Sequence, residues 1–302
     1  MIRLFQGDAK DVGSLVANGS VELAYLDPPF SVGARFTART KSSETRGRQT
    51  ASGAPVAYDD RWPSLEAYLA WLEVRIAAVR EALSPAAPMW LHLDHRAVHE
   101  AKALCDRVFG KAAFVGEVIW VPGNGTKTRR GPGASHQTLL LYAKTDAFVW
   151  NADDPTLRAP FAATSLSMHF KSKDEAGRAY RDRTVKGKTY RYYADEGRAL
   201  GSVWSDCPAM VANTPLMAEG TGYPTQKPMK LLERIVLASS RPGALLLDPF
   251  CGSGTTLCAA ALHGRDAVGM DIGALAVEVA TKRLRAMGVA VAVAPELEGQ
   301  RL

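Results

Sequence analysis

The sequence predicts an α/β fold: a doubly wound, mostly parallel sheet with helices on both faces and one small insert. Three observations predict it. Short apolar runs alternate with segments of helical period along most of the 302 residues. Two of those runs end abruptly in an aspartate and a turn, at Asp27 and Asp248, and strand carboxyl ends are where such sheets bind ligands. Between about Trp150 and Asp206 the long apolar runs vanish, and Lys, Arg, Tyr, Asp and Gly dominate.

Taken in order, Val21–Leu26 reads as a buried strand stopped by the prolines of Asp27-Pro28-Pro29-Phe30. Ser31 to Asp60 has no period and is long for a connection, so it is expected to be a functional loop. Leu65, Tyr68, Leu69, Leu72, Ile76 and Val79 fall at helical spacing behind Ser64, a good N-cap. Pro88–Leu93 reads as a strand, Asp94–Phe109 as a helix ending near Gly110, and Phe114–Val121 and Thr138–Tyr142 as strands. After the change of texture, Lys227–Ser240 reads as a helix with Pro228 in its first turn. Ala244–Leu247 is a strand running into Asp248, and Thr255–His263 a helix. Asp266–Met270 is a strand ending at Asp271, and Ile272–Met287 a helix; the tail from Ala294 carries no readable signal. The expected division is 1–150, an insert at 151–206, and 207–302.

Composition narrows the function classes. The chain is 47% hydrophobic and 23% charged, ordinary for a globular protein, which excludes global disorder. The net charge of +6 suits a polyanionic partner without demanding one. No window reaches the ~18 apolar residues of a membrane span, and MIRLFQGDAK lacks a leader's apolar core. Cys105, Cys207, Cys251 and Cys258 form neither a C-x-x-C pair nor a zinc pattern with histidine. Free thiols, no metal, no membrane and a cytoplasmic location are the expectations.

The stretch from Asp248 to Thr255 (DPFCGSGT) follows a strand and opens a helix. Gly252 and Gly254 permit a tight turn and close approach of backbone to a ligand, with Phe250 and Thr255 beside them. Asp271, at the next strand end, is placed to accept ribose hydroxyls. The third glycine of a dinucleotide site is missing, and Asp248 would repel a pyrophosphate. An acid suits a cationic ligand instead, and S-adenosylmethionine carries an ammonium and a sulfonium. A glycine turn without any ligand is the plain alternative.

Asp27-Pro28-Pro29-Phe30 suits chemistry on an exocyclic amine, whose lone pair is delocalised into the base. Asp27 and the Pro28 carbonyl can accept its two N–H bonds and localise that pair. Proline stiffens the turn and Phe30 offers a stacking face. Alone, the tetrapeptide is as easily a surface turn.

Together these motifs resemble the permuted, beta-class amino-methyltransferases of DNA, in which the DPP-aromatic turn comes first, a target-recognition region follows, and the cofactor turn comes last. Gly7-Asp8, His136–Lys144 and Tyr223-Pro224-Thr225-Gln226-Lys227-Pro228 resemble further family stretches in the same order. The resemblance implies the S-adenosylmethionine-dependent methyltransferase fold and catalysis by Asp27, Pro28, Pro29 and Phe30. It also implies a cofactor held near Asp8, Asp27, Thr225, Gln226, Lys227, Asp248 and Asp271, with Thr225 and Gln226 at its methionine end and Lys227 near its carboxylate. Asp27 rather than Ser points to adenine N6 over cytosine N4. Phe30 replaces the more usual Tyr and keeps the ring face.

A paired base cannot reach such a turn, so double-stranded DNA with a flipped target is the implied partner. Lys171–Arg198 carries nine cations against five acids, or +4, with Tyr180, Tyr190, Tyr192 and Tyr193 interleaved. Arg181, Arg183, Lys186 and Lys188 are its expected DNA contacts. Arg35, Arg39, Lys41, Arg46 and Arg48 against Glu44, and Lys127, Arg129 and Arg130, are expected to track phosphates. Any one such run is as readily a solvated surface. A homodimer and a cognate restriction endonuclease complete the implied partners. Rival readings are a methyltransferase for RNA, protein glutamine or a small molecule, a non-catalytic DNA-binding protein, and an NAD-dependent oxidoreductase. His92 and His95 receive no role.

Overall fold

A computed structural model describes residues 1–38, 55–125, 128–210 and 219–294, which divide into two compact units, Met1–Trp150 with Val203–Leu302, and Asn151–Ser202. In chain order the larger unit contains β1 (Ile2–Gln6), β2 (Leu23–Leu26), β3 (Arg35–Thr37), β4 (Val56–Asp59), α1 (Leu65–Ala82), β5 (Pro88–Leu93), α2 (Val98–Phe109), β6 (Phe114–Trp120) and β7 (Gln137–Ala143). The smaller unit contains β8 (Arg158–Ala159), α3 (Ala163–His169), β9 (Ser172–Lys173), β10 (Ala179–Val185), β11 (Lys188–Tyr193) and β12 (Arg198–Ala199). The larger unit resumes with β13 (Val203–Trp204), α4 (Met229–Ser239), β14 (Leu245–Asp248), α5 (Thr255–Leu262), β15 (Asp266–Asp271), α6 (Ala274–Ala286) and β16 (Val291–Ala294).

Among the described residues, nine strands form the central sheet in the order β13-β6-β7-β5-β2-β14-β15-β1-β16. Only β7 runs against its neighbours, so the sheet is mostly parallel, as expected. Strand residues alternate between two covered faces. Ala24 and Leu26 of β2 and Met89, Leu91 and Leu93 of β5 join one buried cluster with Tyr68, Leu72, Ile76 and Val79 of α1 and Leu104 of α2. Each such large side chain taken out of water contributes roughly 1.5–3 kcal/mol. On the other face Trp90 donates its indole N–H to Ser239 Oγ of α4 at 3.0 Å; α4 packs on α5, and α5 on α6. Ser64 caps α1 by accepting the amide of Ala67 at 3.2 Å, as its sequence position predicts.

The structure departs from, or adds to, the expected layout at four points. The first residues form β1, which lies between β15 and β16. The stretch 31–60 contains the β3–β4 pair, with 39–54 outside the described residues. The insert ends at Ser202 rather than Asp206, because Val203 and Trp204 pair in parallel with Ile119 and Trp120 of the main sheet. The insert has structure of its own. Its β9, β10 and β11 form an antiparallel sheet, and β9 reaches only Ala179 and Tyr180, so beyond them β10–β11 is a two-stranded ribbon. Lys186 and Gly187 turn it with φ of 48° and 77°, the doubly left-handed pair of a tight hairpin. No described helix is long and apolar enough to cross a membrane, and all four cysteines are buried free thiols.

Candidate active site

β2 and β14 are neighbours in register, Leu246 opposite Leu23 and Leu247 opposite Ala24. Their carboxyl ends therefore deliver Asp27 and Asp248 to one place, although the two lie 221 positions apart in the chain. Both line a single cavity with Phe30, Trp71, Tyr223 and Asp271.

The Asp27–Phe30 turn is fastened from below. Asp60, 1% exposed, accepts the amides of Phe30 (3.1 Å), Ser31 (2.8 Å) and Val32 (2.9 Å) and the indole N–H of Trp62 (2.9 Å). Tyr68 donates its hydroxyl to the Pro29 carbonyl at 2.7 Å. Pro28, Pro29 and Phe30 all face the cavity. Asp27 meets Lys227, whose Nζ lies 2.7 Å from Oδ1 and 2.5 Å from Oδ2. Burial raises the Asp27 carboxyl above its ordinary range, and the Lys227 ammonium pulls it back. Behind the turn the hydroxyl of Tyr25 and Nδ1 of His92 share a 2.7 Å hydrogen bond. The His92 ring is centred 5.8 Å from that of Phe30. Burial, and then the Lys227 charge, hold His92 well below its usual range, so it is a neutral imidazole.

The second turn is acidic. Asp248 accepts the amide of Phe250 at 3.2 Å, yet burial lifts its carboxyl to about 7. Asp271 accepts the amides of Gly252 and Gly273, each at 2.9 Å, and burial lifts it to about 6. Gly252 has φ of 48°, and a Cβ there would stand 3.2 Å from the Tyr223 ring. Thr255 lines the cavity and receives Arg283 Nη1 at 2.7 Å. Asp8, which pairs with Arg75, also lines it. So do Thr225 and Gln226. Thr225 has a left-handed φ of 58° and shares a 3.1 Å hydrogen bond with the Tyr58 hydroxyl. Gln226 is turned inward on its own loop, accepting from the Thr221 amide and hydroxyl and donating to the Glu219 carbonyl. Gly254 does not line the cavity: it starts α5 where a Cβ would stand 2.8 Å from Ala280 Cβ, so its part is close helix packing.

Sequence reasoning missed Asp60, Tyr25, His92 and Tyr58. Asp60 closes a polar stretch, and nothing distinguishes it there from a solvated acid. The expected DNA contacts divide. Arg35 is held by Asp59 Oδ2 at 3.2 Å, which removes it from the free cations. Arg39, Lys41 and Lys127, with Arg46 and Arg48, lie outside the described residues. Arg129 and Arg130 are exposed. Arg181 is half-buried, its guanidinium 5.5 Å from the Phe161 ring and 5.2 Å from that of Phe170. Arg183, Lys186 and Lys188 are exposed on the ribbon.

Residues 21–282 match the family described as DNA methylase, which contains N6 and N4 methyltransferases. The chain is similar to the type II methyltransferase M.EcaI of Enterobacter cloacae, 26% identical over 89% of this chain and 66% of that one. It is also similar to the DNA adenine methyltransferase YhdJ of Escherichia coli K12, 25% identical over 93% of this chain and 82% of that one. Among solved structures, the cytosine-N4-specific PvuII DNA methyltransferase superposes with a TM-score of 0.59 at 14% identity, covering 93% and 85% of the two chains. The M1.HpyAVI–SAM complex superposes with a TM-score of 0.51 at 18% identity over 94% and 100%.

Proposed function

The chain belongs to the DNA methylase family, and from that premise we propose that it moves a methyl group from S-adenosylmethionine to the exocyclic N6 of an adenine flipped out of double-stranded DNA. One observation carries this reading: an amine-accepting turn and an acidic, glycine-lined turn end adjacent strands and open into the same cavity.

The cavity fits a cationic cofactor. Asp248 is a buried carboxylate and Asp271 a half-buried one, and the ionisation of each is costly when nothing positive stands near. At Gly252 a side chain would be disfavoured twice, by the φ of 48° and by a Cβ crowding the Tyr223 ring at 3.2 Å. Asp8, Thr225, Gln226, Asp248, Phe250, Gly252, Thr255 and Asp271 would hold the cofactor, which when bound supplies an electrophilic methyl group on a sulfonium. The chain's own residues do the rest. Asp27 and the Pro28 carbonyl accept the two N–H bonds of the target amine and localise its lone pair, and Phe30 supports the base face. The Asp60 and Tyr68 anchors keep the turn from yielding, so the gain is positional and electrostatic.

For DNA, the smaller unit offers the ribbon. The cross-strand pairs put Arg181, Arg183, Tyr190, Tyr192 and Lys188 on one face, without an acid. On the other, Asp182 is neutralised by Arg191 at 2.9 Å. A two-stranded ribbon fits a major groove, and the exposed Arg183, Lys186 and Lys188 are the proposed contacts, with Arg129 and Arg130 on the larger unit. Replacing those three ribbon cations with Ala should weaken DNA binding and reduce the salt slope by roughly two to three; an unchanged slope would place the grip elsewhere. The homodimer and the paired endonuclease remain part of the same proposal, the first read by sedimentation of the chain alone.

The deciding experiment incubates the chain with DNA and labelled cofactor, digests to nucleosides and identifies the product by mass. N6-methyladenine is expected, and Asp27→Ala should abolish it while DNA affinity persists. N4-methylcytosine would overturn the base assignment, and no methylated base the whole reading.

A further inference from the structure

Lys227 stands on the loop into α4, one residue before Pro228 at the helix start. Two constraints fix it. Thr255 donates its hydroxyl to the Lys227 carbonyl at 3.2 Å. At the other end Nζ reaches both oxygens of Asp27, at 2.7 and 2.5 Å, and lies 5.0 Å from the centre of the Phe30 ring. The side chains are 8% and 17% exposed, so this is a nearly buried ion pair between residues 200 positions apart.

Such a pair has a chemical consequence at the amine. A lone carboxylate at that depth lowers its free energy by taking up a proton. Protonated, it would turn an O–H toward the target N–H and lose an acceptor. An ammonium on both oxygens prevents this and uses only part of the carboxylate's roughly four acceptor positions. The remaining ones can face the base.

Resting on the methyltransferase reading above, we propose that Lys227 is a positioning residue for the reaction, holding the Asp27 carboxylate as a charged acceptor turned into the cavity. Family likeness alone would give this lysine to the cofactor's carboxylate, and the two roles separate in experiment. The groups that face Asp27 are Tyr25 of β2, Tyr58 of β4, Tyr68 of α1, Tyr223, and Asp248 of β14. His92 of β5 faces Lys227. Burial pushes all four tyrosines up, so they stay neutral through the assay range. Saturating cofactor removes the titration of free Asp248 and Asp271 from the profile.

The test compares Lys227→Met and Lys227→Arg with the unaltered chain in single-turnover methyl transfer across pH. Cofactor affinity by calorimetry, thermal stability and the infrared carboxyl stretch are read in parallel. Lys227→Met should lose on the order of tenfold or more of its rate near neutral pH and regain it toward alkaline pH, while Lys227→Arg keeps the shape of the original profile. With cofactor saturating, the Met variant should also gain a neutral-carboxyl band beyond any from Asp248 and Asp271, which all three proteins share, and that extra band should be missing from the unaltered chain and from Asp27→Asn/Lys227→Met. A Met variant with the original profile, no such band and only weaker cofactor binding overturns the proposal. Should it fail to fold, Lys227→Gln takes the same measurements. If the unaltered chain methylates no DNA, the functional reading fails, and the infrared band still decides the role of the pair.

Discussion

Asp60 gathers three consecutive amides and an indole N–H on one buried carboxylate, so removing it strands four donors at once. Asp60→Ala should cost about 3 kcal/mol of stability and lower the rate of transfer more than cofactor affinity, read by denaturant melts and single-turnover kinetics. Asp248 behaves in the opposite sense. Its carboxyl titrates near 7 when folded, so between about pH 4 and pH 7 the folded chain holds a proton that the unfolded chain releases. Unliganded stability therefore falls as pH rises through that window, and a bound cation restores it. The gap in melting temperature between cofactor-bound and free protein should widen from pH 5.5 to pH 8, and Asp248→Asn should raise the unliganded melting point while weakening the cofactor. A gap independent of pH would deny the acidic site its ligand. Asp248 was legible because a strand and a glycine turn frame it in the sequence. Asp60 was not, because three of its four partners are backbone amides, and an amide leaves no mark in a sequence.

At the level of elements, the strands that were legible are those buried on both sides, such as PMWLHL of β5, whose run of apolar residues has one physical explanation. Apart from the interior β1, those that escaped are short or lack an apolar pattern. β13 is two residues long, and β10 (AYRDRTV) and β11 (KTYRYY) are built largely of charged residues, Thr and Tyr, with no alternation of apolar and polar. The join between β14 and α5 depends on Gly254, which combines φ of 73° with no room for a side chain, since a Cβ there would stand 2.8 Å from Ala280 Cβ. Gly254→Ala should cost about 2–3 kcal/mol from the left-handed backbone and the overlap. Because the cofactor turn is displaced with the helix start, affinity for the cofactor should fall as well, measured by calorimetry on the folded fraction.

Across the molecule, the fold class and both turns could be read from the sequence, whereas the exact end of the insert could not, since a two-residue strand gives no periodicity. The insert's points of attachment are close. Trp150 before it and Trp204 after it both lie against Trp90, with ring centroids 6.3 and 6.0 Å away. Replacing 151–202 by a short Gly-Ser linker should therefore leave the larger unit folded and able to bind cofactor, with DNA affinity much reduced. Loss of cofactor binding together with folding would show that the insert is required for the core. The strand order also bears on how the chain is made. β1 pairs with β15 on one side and β16 on the other. A ribosome delivers β1 long before residues 266–294 exist, so this part of the sheet can close only once those far later residues have been made.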